Sequence, residues 1–187
     1  EGRALVDAVR RNNAIFQHGT QLRSIRNVRF ACELVRNGRI GELKRVVIGS
    51  PPGLACESPE PPGPIPDGFD YDLWLGPAPY EAYTPRRVKV PGELPCWYFI
   101  SDYCVGYIAG WGVHHLDSAQ RGNGTDSTGP SEVDGRAAFP RDGLYDTPIT
   151  WRVEYRFSNG VSMICTDVTR QRMGVLYEGT EGKVFTW

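Results

Sequence analysis

The sequence predicts an α+β domain, and three observations carry that reading. Helical periodicity occupies the first part of the chain and one central stretch. A proline-rich segment interrupts the middle, and the C-terminal third alternates β-branched and aromatic residues with polar ones. Segregated helices and consecutive strands are the pattern of α+β rather than of alternating βαβ units.

The elements follow in order. In "EGRALVDAVRRNN", Ala4, Leu5, Ala8 and Val9 form one apolar stripe, and Asn12-Asn13 closes the helix. "AIFQHG" then reads as a short buried strand. A second helix is expected over Ile25 to Arg36, with Val28, Ala31, Cys32 and Val35 on one face and Gly38 at C′. "ELKRVVIGS" has the continuous apolar centre of a buried strand.

Residues 51–66 hold seven prolines, which excludes both helix and central strand. "DGFDYDLWLGPAPYEAY" reads as a surface loop anchored by Trp74, with a turn at Gly76-Pro77. A third helix is expected from about Val105 to Arg121, although Gly106, Gly110 and Gly112 weaken its first turns. Glycines there mean that something comes close to the backbone. Beyond "RGNGTDSTGP", five runs ("SEVDGRAAF", "ITWRVEYRFSN", "VSMICTDVT", "GVLYEGTEG", "KVFTW") predict an antiparallel sheet, with a hairpin at Ser158-Asn159-Gly160. The two ends read as cuts through a larger molecule.

Bulk properties exclude several functions. A formal net charge of -1 gives no electrostatic basis for binding nucleic acid or an anionic membrane. No apolar run reaches the roughly 18 residues of a membrane span, and the opening stretch is not a signal peptide. The five cysteines are scattered, with no CxxC pair, so they read as reduced and buried, which points to the cytoplasm. A Cys96–Cys104 bridge is the one pairing left open.

The chemistry concentrates in "GWGVHHLD". Adjacent helical residues point about 100° apart, so His114 and His115 do not converge on one metal ion, and no metal site is expected. Asp117 follows His114 by three positions, on the same helix face, where a carboxylate can orient an imidazole and raise its basicity. Spacing alone equally allows a packed histidine and a surface ion pair. In "FQHGTQLRS", Gln17, Gln21 and Arg23 leave a strand end, where ligand-binding side chains collect. No G-x-G-x-x-G follows a strand, and there is no P-loop, so this chain offers no phosphate cradle.

The order "FQxGxQxRS", "ACELVRNGRIGE", "DYDLWLGPAP", "GWGVHHLDSAQ" and "YEGTEG" resembles the Gfo/Idh/MocA family of NAD(P)-dependent oxidoreductases, above all the branch common in planctomycete-type bacteria. The resemblance implies that residues 1–19 are the last helix and strand of an N-terminal Rossmann domain. Residues 20–187 are then the substrate-binding and oligomerisation domain, an open, mostly antiparallel sheet with helices on one face, lacking its final segment. The family's D-x-G-x-H-x-x-D pattern falls on Gly110, Gly112, His114 and Asp117, with glycine where the first aspartate stands.

His114 is then the base or polariser at a substrate hydroxyl, and Asp117 the catalytic acid of the motif. His115, Arg23, Tyr71 and Trp74 are expected at the substrate, and Gln21 at the nicotinamide. The implied cofactor is NAD or NADP, held mainly by a domain upstream, so the chain alone is expected to be inactive. The implied partners are a carbohydrate or cyclitol substrate and further copies of the chain through the sheet. Two alternatives remain: a cofactor-independent carbohydrate-binding or scaffold module, and part of an NAD-dependent, redox-neutral glycosidase. A hydrolase built on His114 lacks a nucleophile elbow.

Overall fold

In the computed structural model, which describes all residues except 1, 56, 57, 59 and 170, the C-terminal runs do form a sheet. Its strands are β1 (Leu43–Ser50), β2 (Glu132–Ala138), β3 (Thr150–Arg156), β4 (Ser162–Asp167), β5 (Gly174–Gly179) and β6 (Lys183–Thr186). The spatial order is β2-β3-β4-β1-β5-β6, and the only parallel pair of this sheet is β1 with β4. The first strand in sequence therefore sits in the middle, between two strands made more than a hundred residues later. The sheet is open and mostly antiparallel, as expected.

Its helices are α1 (Gly2–Arg11), α2 (Arg26–Arg36), α3 (Tyr71–Leu75), α4 (Tyr107–Gly110) and α5 (Gly112–Asn123). α2 buries Val28, Ala31, Cys32 and Val35, the i, i+3, i+4, i+7 set that the sequence marks. Its end is a Schellman motif: Arg39 N–H donates to the Leu34 carbonyl and Gly38 N–H to that of Val35, with Gly38 at φ 68°. α2 and α5 lie on one face of the sheet. Cys32, Val35 and Ala119 meet Val46, Ile48, Met163, Cys165, Val175 and Tyr177 there. Each large apolar side chain so buried contributes roughly 1.5–3 kcal/mol.

Two expectations are corrected. Residues 14–19 form no strand and are exposed throughout, with Ile15 fully so. An apolar run becomes a strand only against a ladder partner, and none of the described residues supplies one. The expected helix over 105–121 is two pieces joined at Trp111. Glycine on both sides of Trp111 lowers the local helix propensity by roughly 1 kcal/mol each, and Gly106 begins the first piece at φ 73°.

The proline-rich stretch is an ordered excursion, tied by Gly53 N–H to the Ile149 carbonyl and Gly63 N–H to that of Tyr83. In the next loop, the buried anchors are Tyr71 and Leu75, while Trp74 is half-buried. The sheet face away from the helices is charged at its β2–β3 end, where Asp134, Arg136, Arg152 and Glu154 line a groove.

Cys96 and Cys104 are free thiols, as are Cys32 and Cys165; Cys56 lies outside the described residues. Burial pushes the Cys165 thiol up to about 11 and raises the other three as well. Among the described residues no helix is long and apolar enough to cross a membrane.

Candidate functional site

The site is built where the segment entering α2 crosses α5. A 3₁₀ turn at Gln21–Ser24 places Arg23 against α5. Its guanidinium grips Asp117 with both arms, Nε to Oδ2 at 2.7 Å and Nη2 to Oδ1 at 2.6 Å, and also reaches Asp126 at 2.9 Å. Arg121 Nη1 adds a bond to the Arg23 carbonyl at 3.0 Å. Bidentate fork-to-carboxylate geometry is the strong form of ion pair. The Asp117 hydrogen bond is the largest influence holding the Arg23 guanidinium charged.

That pairing answers the His114–Asp117 question. The two residues are three positions apart, which places them about 60° apart around the helix. The carboxylate turns to Arg23 and not to the imidazole. Neither ring nitrogen of His114 has a hydrogen-bond partner among the described residues, and its Nδ1 is buried. Asp117 orients the chain segment carrying Arg23, not the histidine beside it.

Beside this pair lies a recess of about 550 Å³. Val113, Leu116, Asp117 and Gln120 form its α5 wall, the i, i+3, i+4, i+7 stripe of that helix, and His18 and Thr20 close the other side. His114 sits on the flank of α5 next to this wall and does not line it. His18, Thr20 and Gln120 are the residues that sequence reasoning missed. The i, i+3, i+4, i+7 spacing of Val113, Leu116, Asp117 and Gln120 is the signal that could have found Gln120. Gln21, adjacent to Thr20, is exposed at the head of the 3₁₀ turn.

His115 turns the other way. It is 2% exposed, and its Nδ1 is buried without a partner. Burial pushes its pKa below the usual 6.5, against the raising effect of a backbone hydrogen bond with Gly49. The folded protein thus holds this imidazole neutral, whereas the unfolded chain takes up a proton below about pH 6.5. Its stabilising contribution is intact above that pH and is lost as pH falls toward the lower folded value. His115→Gln should therefore flatten the dependence of Tm on pH below 6.5 in thermal melts. Parallel curves for the two proteins would show that His115 is not the group responsible.

Gly110 has a specific neighbour. A Cβ built on it would stand 3.0 Å from Cε2 and 3.1 Å from Cδ2 of Tyr98. The Tyr98 ring, packed edge-on against Trp97 and Tyr107, approaches Gly110 so closely that a side chain there would have to displace it slightly. Burial raises the pKa of its phenol.

Tyr71 and Trp74 lie elsewhere. Tyr71 is buried, donates to the Glu81 carbonyl at 2.9 Å, and is pushed up to about 12 mainly by burial. Trp74 stacks on it with centroids 5.9 Å apart. The structure thus brings Asp117 and Gln120 to the recess, with Arg23 on the Asp117 carboxylate and His114 on the flank of α5 beside that wall. It separates them from His115 in the core and from the Tyr71–Trp74 pair. Among the described residues no group of three or more His, Cys, Asp or Glu is placed to hold a metal ion.

A helix-covered mixed sheet with this recess beside it is an α/β domain, and comparison with known proteins gives its family. The family model GFO_IDH_MocA_C2, "Oxidoreductase family, C-terminal alpha/beta domain", matches residues 31–187, and the chain belongs to that family. No curated protein matches the sequence. Among solved structures, levoglucosan dehydrogenase in complex with NADH and levoglucosan aligns over 100% of this chain and 44% of its own, at TM-score 0.64 and 17% identity. GenD2 from gentamicin A biosynthesis, in complex with NAD, aligns over 98% and 43%, at TM-score 0.64 and 15% identity. The WlbA dehydrogenase from Chromobacterium violaceum, in complex with NADH and UDP-GlcNAcA, aligns over 98% and 44%, at TM-score 0.60 and 13% identity. At such identities the likeness is one of fold, and the chain spans less than half the length of each of these proteins.

Proposed function

We propose that the chain is the substrate-side part of an NAD(P)-dependent oxidoreductase that acts on a hydroxyl of a sugar or cyclitol. The observation that carries this reading is the recess between the His18–Thr20 segment and α5, with the unpartnered His114 at its edge. Its wall suits one end of the cofactor: Val113, Leu116 and Ala109 present a flat apolar surface, and Thr20 and Gln120 offer hydrogen bonds to a ring carboxamide. No phosphate cradle accompanies it in these residues. The nucleotide part is therefore assigned to an upstream domain, with residues 1–19 as its last segment and Gln21 beside the ring.

In this reading the nicotinamide, when bound, supplies the two-electron acceptor. His114 receives the proton of the substrate hydroxyl while the carbinol C–H bond breaks and its electron pair leaves as hydride. Arg23 and Asp117 hold the segment and helix that frame the reaction, and self-association through the helix-free sheet face orders the copies. Free buried thiols agree with a reducing compartment.

One observation favours a second reading. A side chain at position 110 would press on the Tyr98 ring, 3.0 Å from its Cβ, so the glycine there goes with the absence of a carboxylate beside His114, which suits a carbohydrate-binding module without turnover. The two readings separate in one assay on the longer protein carrying these residues together with a nucleotide-binding domain. Absorbance at 340 nm is followed with NAD or NADP against a panel of sugars and cyclitols. Reduction of the nicotinamide by any member supports the oxidoreductase. Sugar binding with no reduction, given measurable NAD binding, leaves the binding module.

A further inference from the structure

A second concave site lies on the other loop cluster. Trp74 and Leu75 of α3, the following Pro77 and Pro79, and Trp97 and Tyr103 of the later loop enclose a cleft of about 600 Å³, with Asp102 at its rim. Its residues are disjoint from those of the α5 recess.

The chemistry of this cleft is amphipathic in a specific way. Trp74 is fixed between Tyr71, stacked at 5.9 Å, and Tyr103, edge-on at 5.0 Å, so its indole is held and not mobile. Trp97 is braced edge-on by Tyr98 at 4.6 Å. Neither indole N–H nor the Asp102 carboxylate makes a hydrogen bond or ion pair among the described residues. Flat apolar faces, free donors and a free acceptor therefore line one cavity.

We propose that this cleft binds a neutral pyranoside, one C–H face of the sugar ring laid on an indole and its equatorial hydroxyls bonded to Asp102 and the indole N–H groups. A pyranose carries an apolar C–H face and a belt of hydroxyls that both donate and accept, which is the inventory the cleft offers. A quaternary ammonium fits less well. It needs aromatic faces boxed within about 6 Å of one centre, whereas Trp74 and Trp97 are not in ring contact, and Tyr103 already carries the Arg87 guanidinium 5.9 Å from its centroid. The site stands whether or not the chain serves hydride transfer, because it involves none of the residues at the α5 recess.

The test is a tryptophan-fluorescence titration of the 187-residue chain with methyl β-D-glucopyranoside and with cellobiose, no nicotinamide present. A saturable change with millimolar Kd or tighter is expected. Trp97→Ala should weaken it by about 10-fold or more, and Asp102→Asn several-fold. Lys44→Ala, at an exposed position outside both sites, should leave it unchanged. Trp74 is left alone, because its removal also strips Tyr71 and Tyr103 of a packing partner; Asp102 is exposed, so that variant keeps the fold. Absence of saturable binding by a chain with native circular dichroism overturns the proposal. So does binding that survives both cleft variants, binding abolished only by His114→Ala, or an equal response to tetramethylammonium. A concentration-dependent burial of the same tryptophans by self-association also overturns it. None of these outcomes bears on nicotinamide reduction, which tests the function separately.

Discussion

Gly122→Ala should be the most destabilising single methyl in α5. A Cβ there would stand 2.4 Å from Cε1 and 2.8 Å from the hydroxyl oxygen of Tyr177. Tyr177 has no room to move: it is fully buried, its hydroxyl donates to the Ser118 carbonyl at 2.8 Å, and the Cys32 sulfur lies 3.6 Å away. α5 supplies Ser118, α2 supplies Cys32 and β5 supplies the ring, so any relief separates the two helices or lifts one from the sheet. Overpacking of this kind costs roughly 1–3 kcal/mol and sometimes more. A rigid ring hemmed in by two helices belongs at the upper end. The alanine regains about 1 kcal/mol of helix propensity, which does not offset the clash. For a chain of this length a net loss of ~2 kcal/mol lowers Tm by about 4–8 °C. Gly129→Ala is the control, since nothing lies within 4 Å of a Cβ there. Equal melting temperatures for the two variants would mean that α5 is not seated against Tyr177 as described.

The same helix shows where sequence reading works and where it stops. Elements set by local pattern were legible: α2 from its apolar stripe and Gly38, and β3 and β4 from alternation around Asn159-Gly160; the one-turn helix α3 was not, since its stretch reads as a loop. The Asn159 side chain indeed receives the Val161 N–H at 3.2 Å across that hairpin. Features set by distant partners were not legible. β1 pairs in parallel with a strand that begins at Ser162, and nothing in "ELKRVVIGS" specifies that neighbour. Residues 14–19 have strand-like composition yet no ladder to join. Position i+3 puts Asp117 near His114, but a guanidinium 94 residues away takes the carboxylate. The glycines of "GYIAGWG" announced a close approach correctly without naming what approaches. At Gly110 it is Tyr98, and at Gly106 it is Thr147, whose Oγ1 would lie 2.7 Å from a Cβ.

Separating His114 from Asp117 in space also separates what their substitutions should do. On the proposed function, His114→Ala in the assembled enzyme removes the proton acceptor and should lower kcat by about 10²–10⁴-fold with little change in KM. Asp117→Asn keeps the side-chain shape but removes the charge that Arg23 grips. The Arg23 side chain is 39% exposed and that of Asp117 17%. After solvent screening, the fork then contributes on the order of 1–2 kcal/mol, toward the lower end for hydrogen bonds to charged groups. Losing it should loosen residues 20–24 from α5, raise their amide exchange and raise KM, while kcat falls far less than in His114→Ala. A carboxylate that oriented the imidazole would behave otherwise, since Asp117→Asn would then cut kcat nearly as deeply as the histidine variant and leave exchange at residues 20–24 unchanged. Measuring kcat, KM and exchange on the two variants together decides between a framing ion pair and an acid–base couple. The bidentate grip of Arg23 on both carboxylate oxygens predicts the framing pair.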